Sequence, residues 1–241
     1  MSRNTLLAWA VLAAAILFAV VPFFTPFDGF DPERFPIPQR EPPVQPAGWA
    51  FSIWSVIYLW LIASAAYGVW RRPDDPAWAP ARPWLLASLA VGVPWLPVAG
   101  VSPIAALVMI WVMCLTALAA LARSPAEDRL WFRAPVGLYA GWLTAASWVS
   151  VALNGAGFGI VAGEFAWAVV AILCALAMAH MVLTRIARIP EFALAVIWAL
   201  IAIAVKTAED HLILTILASV GAIDLAIMAV RNWQSRAAAP A

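Results

Sequence analysis

Charged residues are scarce in this chain, which excludes a soluble globular domain. Only 11% of its 241 residues are Asp, Glu, Lys or Arg, whereas 65% are apolar. A soluble domain usually has about 25% charged residues. An apolar excess of this size cannot be enclosed in one water-facing core, so much of it must face a lipid bilayer. The formal net charge of +1 provides no basic surface, and no nucleic-acid partner is expected.

Cysteine and histidine are also rare, which argues against metal sites and against most catalytic sites. The two cysteines, Cys114 and Cys174, lie in separate apolar runs, and the two histidines are His180 and His211. There is no CxxC pattern and no disulfide framework. The phosphate-loop, HExxH and GxSxG motifs are also absent. We therefore predict no catalytic residue, no metal ligand and no resident cofactor, and we do not expect an enzyme.

Long apolar runs make up most of the chain and predict membrane helices. A helix that crosses the bilayer needs roughly 20 apolar residues. Backbone groups in lipid must bond within the protein, and runs without alternation favour helices over barrel strands. The predicted fold class is an all-α polytopic transmembrane bundle of about eight helices. The spans are expected near residues 5–24, 48–70, 83–98, 103–122, 134–153, 161–183, 191–205 and 212–230, of which the third and seventh are the shortest.

Arginine is unevenly distributed among the loops between these spans. Eleven arginines fall on the side that holds both termini, whereas the other side holds only Arg34, Arg40 and Lys206. Positively charged residues concentrate in cytoplasmic loops. The bias predicts an even number of spans, with both termini in the cytoplasm. The expected location is a bacterial inner membrane. The first span lacks a small-x-small cleavage site and is expected to remain as a helix.

The outward loop at residues 25–48 differs from all the others. It contains seven prolines and four acidic residues. Proline fixes φ and prevents a regular helix, so this segment is predicted to be stiff and extended. A loop of this length is either a lid over a binding site or a solvated connector, and its composition leaves both readings open.

Tryptophan is unusually frequent, with 15 copies. Copies at span ends are typical anchors at the membrane interface. Copies within spans either face lipid, fill space or form an apolar wall for a flat ligand, and composition does not choose among these. Those within spans are Trp54, Trp60, Trp95, Trp111, Trp142, Trp148, Trp167 and Trp198.

Three stretches resemble the TspO/MBR family of tryptophan-rich sensory proteins, which are related to the mitochondrial translocator protein. Residues 46–71 begin with a P-x-G-W-x-F pattern and end with Tyr-x-x-Trp, as in the second helix of the family. Residues 94–97 are similar to its W-x-P segment, and residues 142–146 to the W-x-x-x-A pattern of its fifth helix. The resemblance implies a five-helix domain over residues 1–154. Residues 155–241 are then expected to form three additional helices and a short cytoplasmic tail.

The resemblance also implies a function. Members of the family bind porphyrins, isoquinolines and sterol-like molecules, often as dimers, in a pocket beneath the first loop. We therefore expect a membrane sensor or regulator that binds a planar, tetrapyrrole-like hydrophobe, with a homodimer as a further expectation. The alternatives are a transporter or exporter of such molecules and a porphyrin-degrading membrane enzyme. Carried over by motif, the pocket residues are Trp49, Phe51, Trp54, Tyr58, Trp95, Trp142 and Ala146.

Two positions depart from the family pattern. Gly92 stands where the third helix usually has Asn, and Ser150 stands where the fifth helix usually has Asn. Asn154 follows one turn later. The replacements remove two amides from the expected bundle interior and leave room for a ligand other than a porphyrin.

Two ionisable residues lie inside predicted spans and are functional candidates for that reason. His180 in the sixth span and Asp224 in the eighth lie roughly 7–11 Å from the cytoplasmic boundary, given the rise of a helix. We hypothesise that they pair, provided that these two helices are neighbours. The alternative is that each bonds to a nearby hydroxyl or carbonyl. The Gly137-x-x-x-Gly141 pattern of the fifth span is typical of close helix packing or dimerisation.

Overall fold

The computed structural model describes residues 1–25, 29–125, 127–186 and 189–237, with side chains as far as residue 234. Within these residues the regular structure is entirely helical, as predicted. Short 3₁₀ turns flank the first two long helices, and π-helical turns precede α6 and follow α7. The α-helices are α1 (Arg3–Val20), α2 (Ile53–Arg71), α3 (Arg82–Gly92), α4 (Trp95–Ala99), α5 (Pro103–Ala122), α6 (Ala134–Gly157), α7 (Glu164–Met181), α8 (Pro190–Thr207) and α9 (Leu212–Ala237).

Proline sets the beginnings of several helices. A proline lies in the first turn of α3, α5, α6 and α8, where its missing N–H removes no helical hydrogen bond. At α5 the hydroxyl of Ser102 also accepts a hydrogen bond from the Ala105 amide and caps the helix. Long apolar runs are thereby divided into separate helices at defined residues.

Seven helical segments in the described residues are long and apolar enough to cross a membrane. The predicted third span is not among them because it is divided, with α3 ending at Gly92 and α4 beginning at Trp95. Pro94 lies in the break and has no N–H with which to continue α3. Together α3 and α4 still run antiparallel along α5. Arg123 lies over the Trp84 ring at one end, and Trp95 bonds to the Ala106 carbonyl at the other.

The helix α6 is the centre of the bundle. Its most apolar stretch is 78% buried within the protein, compared with 28% for the corresponding stretches of α2 and α9. It packs against α5, α7, α8 and α2. The three helices beyond residue 154 therefore do not form a separate layer, because α7 and α8 both lie directly against α6.

Glycine allows α6 and α8 to approach closely. A methyl group on Gly141 would lie 2.3 Å from the Phe192 carbonyl oxygen, and one on Gly137 would lie 3.0 Å from the Ile189 side chain. Small residues at such crossings bring helix backbones together in membranes. The Gly137-x-x-x-Gly141 pattern thus serves packing within one chain, and this face of α6 is covered by α8.

Charged residues fasten the loops at the end of the bundle that holds both termini. Arg82 is buried and donates to the carbonyls of Gly68 and Pro73 at the C-terminal end of α2. The positive charge of the guanidinium group is attracted to the partial negative charge of the helix C-terminus. Nearby, Arg72 pairs with Asp128 at 2.7 Å. This bond lowers the pKa of the Asp128 carboxyl below its ordinary value and raises the pKa of Arg72.

We predict that Gly141→Ala destabilises the protein by about 1–3 kcal/mol, because the added methyl overlaps the α8 backbone. Thermal unfolding of detergent-purified protein, followed by circular dichroism, measures the effect. Gly100→Ala is the control, since its methyl would come no closer than 3.5 Å to any neighbour. Equal melting temperatures for both variants would contradict the close α6–α8 crossing.

Candidate functional site

Two adjoining cavities lie among α2, α4, α5 and α6. The larger has a volume of about 180 Å³ and extends towards the end of α1, and the smaller has a volume of about 70 Å³ and lies directly beneath the proline-rich loop. The side chains that border both cavities are Phe51, Trp95, Ile110, Trp142 and Ala146. They form a shared wall, so the two cavities are compartments of one site.

The structure brings together six of the seven residues expected to form the pocket. Those that line it are Phe51, Trp54, Tyr58, Trp95, Trp142 and Ala146. Trp54 and Tyr58 lie in the larger compartment. The indole rings of α2, α4 and α6 therefore converge on one hollow inside the bundle instead of facing lipid.

Trp49, the seventh expected residue, lines neither of the two cavities. Its side chain is 44% exposed, and its ring meets Trp198 of α8 edge-on at 4.9 Å. The reason is local. Residues Gly48–Ser52 form a 3₁₀ turn, and α2 begins only at Ile53. Phe51 lies in the same turn and lines both cavities, so the turn directs these two side chains to different places.

Ring contacts hold the aromatic wall in place. Trp54 and Tyr58 stack at a centroid distance of 5.2 Å, and Phe18 of α1 meets both of them edge-on. Trp142 meets Trp54 and Phe51 edge-on, at 6.2 and 5.9 Å. Edge-to-face contacts of this kind are worth about 0.5–1.5 kcal/mol each beyond the burial of apolar area. The wall is thus ordered by its own packing.

Phe18 is a lining residue that the motifs did not reveal, because the resemblance includes no α1 pattern. A methyl group on Gly92 would lie 2.7 Å from the Phe18 ring. Glycine at this position therefore leaves the space that Phe18 fills. The replacement of the usual family Asn at position 92 substitutes an aromatic ring from α1 for an amide from α3. Ile110 and Met113 of α5 are further lining residues outside the motifs.

The proline-rich loop forms the roof of the smaller compartment. Phe30, Gln45 and Pro46 line it from above, while residues 26–28 lie outside the described residues. Of the two readings of the loop, the structure favours a cover that is packed on the bundle over a solvated connector. Backbone bonds from Ile37 to Gly157 and from Ala47 to Ala202 fasten it at 2.9 and 3.3 Å.

Side chains complete the attachment of the roof. Lys206 of α8 donates to the Pro42 carbonyl at 3.1 Å, and Arg34 donates to the Val101 carbonyl at 3.2 Å. Phe35 and Val44, which belong to the loop, are buried in the hydrophobic core. These contacts lie at the end of the bundle opposite the Arg72–Asp128 pair, so the loops divide between two ends as the arginine bias predicted.

The polar groups of the site are few. The Trp95 indole N–H donates to the Ala106 carbonyl at 3.0 Å, which leaves its ring face for the cavity. Ser150 lines the smaller compartment, and Asn154 donates its amide N–H to the Ser150 carbonyl at 2.9 Å. Among the described residues, no group of three or more His, Cys, Asp or Glu side chains could hold a metal ion. The site is suited to a flat, mainly apolar molecule.

His180 and Asp224 pair, as hypothesised from their depth in the sixth and eighth spans. The His180 Nε2 atom lies 2.8 Å from Asp224 Oδ2, and Nδ1 lies 2.9 Å from the Leu176 carbonyl oxygen. A carbonyl oxygen only accepts, so Nδ1 is the donor in the bond to Leu176, and Nε2 is the ring atom that faces the carboxylate. The pair joins α7 to α9. Neither helix contributes a residue to the two cavities.

Comparison with sequence models of known families gives a match over most of the chain. A sequence model of the family described as TSPO-like protein matches residues 4–231, which includes α7, α8 and most of α9. No curated protein and no solved structure matches the chain significantly.

We predict that His180 and Asp224 are energetically coupled. In a double-mutant cycle of His180→Ala and Asp224→Asn, the coupling energy from thermal or denaturant unfolding in detergent is expected to be about 0.6 kcal/mol and at most about 1.7 kcal/mol, as for other interhelical bonds in membranes. The control cycle combines Asp224→Asn with His211→Ala, roughly 20 Å away along α9. Additive effects in both cycles would show that the pair does not bind α7 to α9.

Proposed function

The chain belongs to the TSPO-like protein family and is an integral membrane protein of the TspO kind. From that premise we propose that it is a sensor or regulator that binds a planar hydrophobic ligand. The observation that supports this function is the convergence of Trp54, Trp95 and Trp142 on one hollow beneath the proline-rich loop. Indole faces provide large, rigid apolar area for a flat ring system. Ligand sites in proteins are usually apolar hollows of this kind with few polar groups.

The volume of the site bears on the size of the ligand. The compartments of about 180 and 70 Å³ lie below the range of roughly 300–1,000 Å³ that is usual for ligand sites. A molecule of two or three fused rings requires little change in the larger compartment. A tetrapyrrole is larger than either compartment and would require the side chains of the shared wall to move. The geometry therefore favours a smaller planar hydrophobe over a porphyrin.

Binding without turnover is the form of the function that we propose. The lining consists mainly of aromatic and aliphatic side chains, and it contains no Asp, Glu, His, Lys or Cys among the described residues. Transport of the ligand is a weaker alternative, because the His180–Asp224 pair lies on helices that do not line the cavities. Flux of the ligand into vesicles that is abolished by Asp224→Asn would contradict this assignment and favour proton-coupled transport.

We predict that isoquinoline-type ligands quench tryptophan fluorescence of the purified protein, and that Trp142→Phe and Ala146→Leu each weaken their binding about tenfold. Trp142→Phe removes part of a ring face, and Ala146→Leu fills the space one turn away on the same face of α6. Titrations with a panel of isoquinolines and porphyrins give the dissociation constants. Absorption spectra of bound porphyrins are expected to remain unchanged under illumination, whereas bleaching would indicate an enzyme.

Matched controls separate the site from general effects on the protein. Trp70→Phe changes an exposed tryptophan at the end of α2, and Ala122→Leu enlarges an exposed alanine at the end of α5. Both are expected to bind ligand as the wild type does. A ligand whose affinity is the same in all five proteins binds elsewhere, and such a result would remove the proposed site.

We further propose that the protein lies in a bacterial inner membrane with both termini in the cytoplasm. The arginine bias indicates this orientation of the termini. The support is that eleven of the thirteen arginines fall in the termini and loops on one side. A reporter that is active only in the cytoplasm, fused after Ala241, is expected to be active, and one fused within the proline-rich loop is expected to be silent. The reverse pattern would invert the topology.

A further inference from the structure

Ser150 is a buried hydroxyl without a hydrogen-bond partner. Its side chain is 3% exposed, lines the smaller compartment, and its Oγ atom has no protein partner. Hydroxyls inside helices usually bond to the carbonyl one turn back. Thr144 and Thr207, which are equally buried, do so at 2.8 and 2.9 Å. Ser150 has the same option at Ala146 and does not use it.

The neighbouring turn of α6 has the same character. Asn154 is buried and uses its amide N–H on the Ser150 carbonyl, while its Oδ1 atom has no protein partner. An unsatisfied buried polar atom costs about 1–3 kcal/mol. The two oxygens lie one turn apart on α6, and the one on Ser150 borders the apolar cavity, so a polar group of another molecule could be accommodated at Ser150.

The position of Ser150 along α6 relates it to the aromatic wall. Trp142, Ala146 and Ser150 follow one another at intervals of four residues and all line the smaller compartment. Each interval corresponds to a rise of roughly 6 Å along the helix. A flat ring that lies against Trp142 and Ala146 thus directs one edge towards the Ser150 hydroxyl. Gln45, on the roof, is the other polar side chain that lines this compartment, and it carries an amide.

We propose that Ser150 is the polar anchor of the site and donates a hydrogen bond to a carbonyl on the edge of an otherwise apolar planar ligand. The ligand class is an aromatic ketone or amide. This inference rests on the proposed function, because it names the chemistry that the same site recognises. The geometry assigns to a hydroxyl of α6 the role of the one directional contact, while the indoles provide area.

The test compares two ligands that differ in one group. An aryl isoquinoline carboxamide carries the carbonyl, and its analogue has a methylene in that place. Ser150→Ala is expected to weaken binding of the carboxamide about threefold to tenfold, the value of one hydrogen bond, and to leave the methylene analogue unchanged. Ser150→Thr retains the hydroxyl and is expected to retain the preference for the carboxamide.

Ser147→Ala is the matched control on the same helix. The Ser147 hydroxyl donates to the Ile110 carbonyl and does not line either cavity, so its loss is expected to change neither affinity. Equal affinities of Ser150→Ala and wild type for the carboxamide would overturn the role of Ser150 while leaving the proposed function intact. Failure of both ligands to bind the wild-type protein would overturn the proposed function and this inference with it.

Discussion

The close crossing of α6 and α8 is the contact on which the rest of this structure depends. Lipid offers no hydrophobic drive for helices to associate, so packing requires backbones that fit closely. Gly141 provides that fit, and the next residue, Trp142, forms the wall of the site. From α8, Trp198 donates to the Ala50 carbonyl at 2.9 Å and Ala202 accepts from the roof. One helix pair thereby positions both wall and roof.

The site combines a rigid wall with a small volume. Phe18 occupies the space that Gly92 leaves, and it packs edge-on against Trp54 and Tyr58. The space next to Gly92 is therefore filled by an aromatic ring from α1. The loss of an amide at position 150 leaves a hydroxyl that faces the compartment. The hollow is small and mainly apolar, and the Ser150 hydroxyl is one of its few polar groups.

The polar interactions of the bundle are separated by role. Lys206 and Arg34 fasten the roof, and the Arg72–Asp128 pair fastens the loops at the opposite end. The His180–Asp224 pair joins two helices that are remote from the cavities. A charge within the membrane is costly unless it is paired, so a paired position is stable without a ligand. In the proposed function, binding depends on the aromatic lining and on Ser150.

The sequence by itself determined the features that depend on local composition. Apolar runs located the membrane helices, the arginine bias grouped the loops at two ends, and short motifs identified six of the lining residues, because periodicity and interface preferences act within one segment. Only the tertiary structure decided which face of each helix meets which neighbour. It turned Trp49 towards Trp198, used Gly141 within the chain and left the Ser150 hydroxyl without a partner. These outcomes depend on residues far apart in the chain, whose packing no single segment encodes.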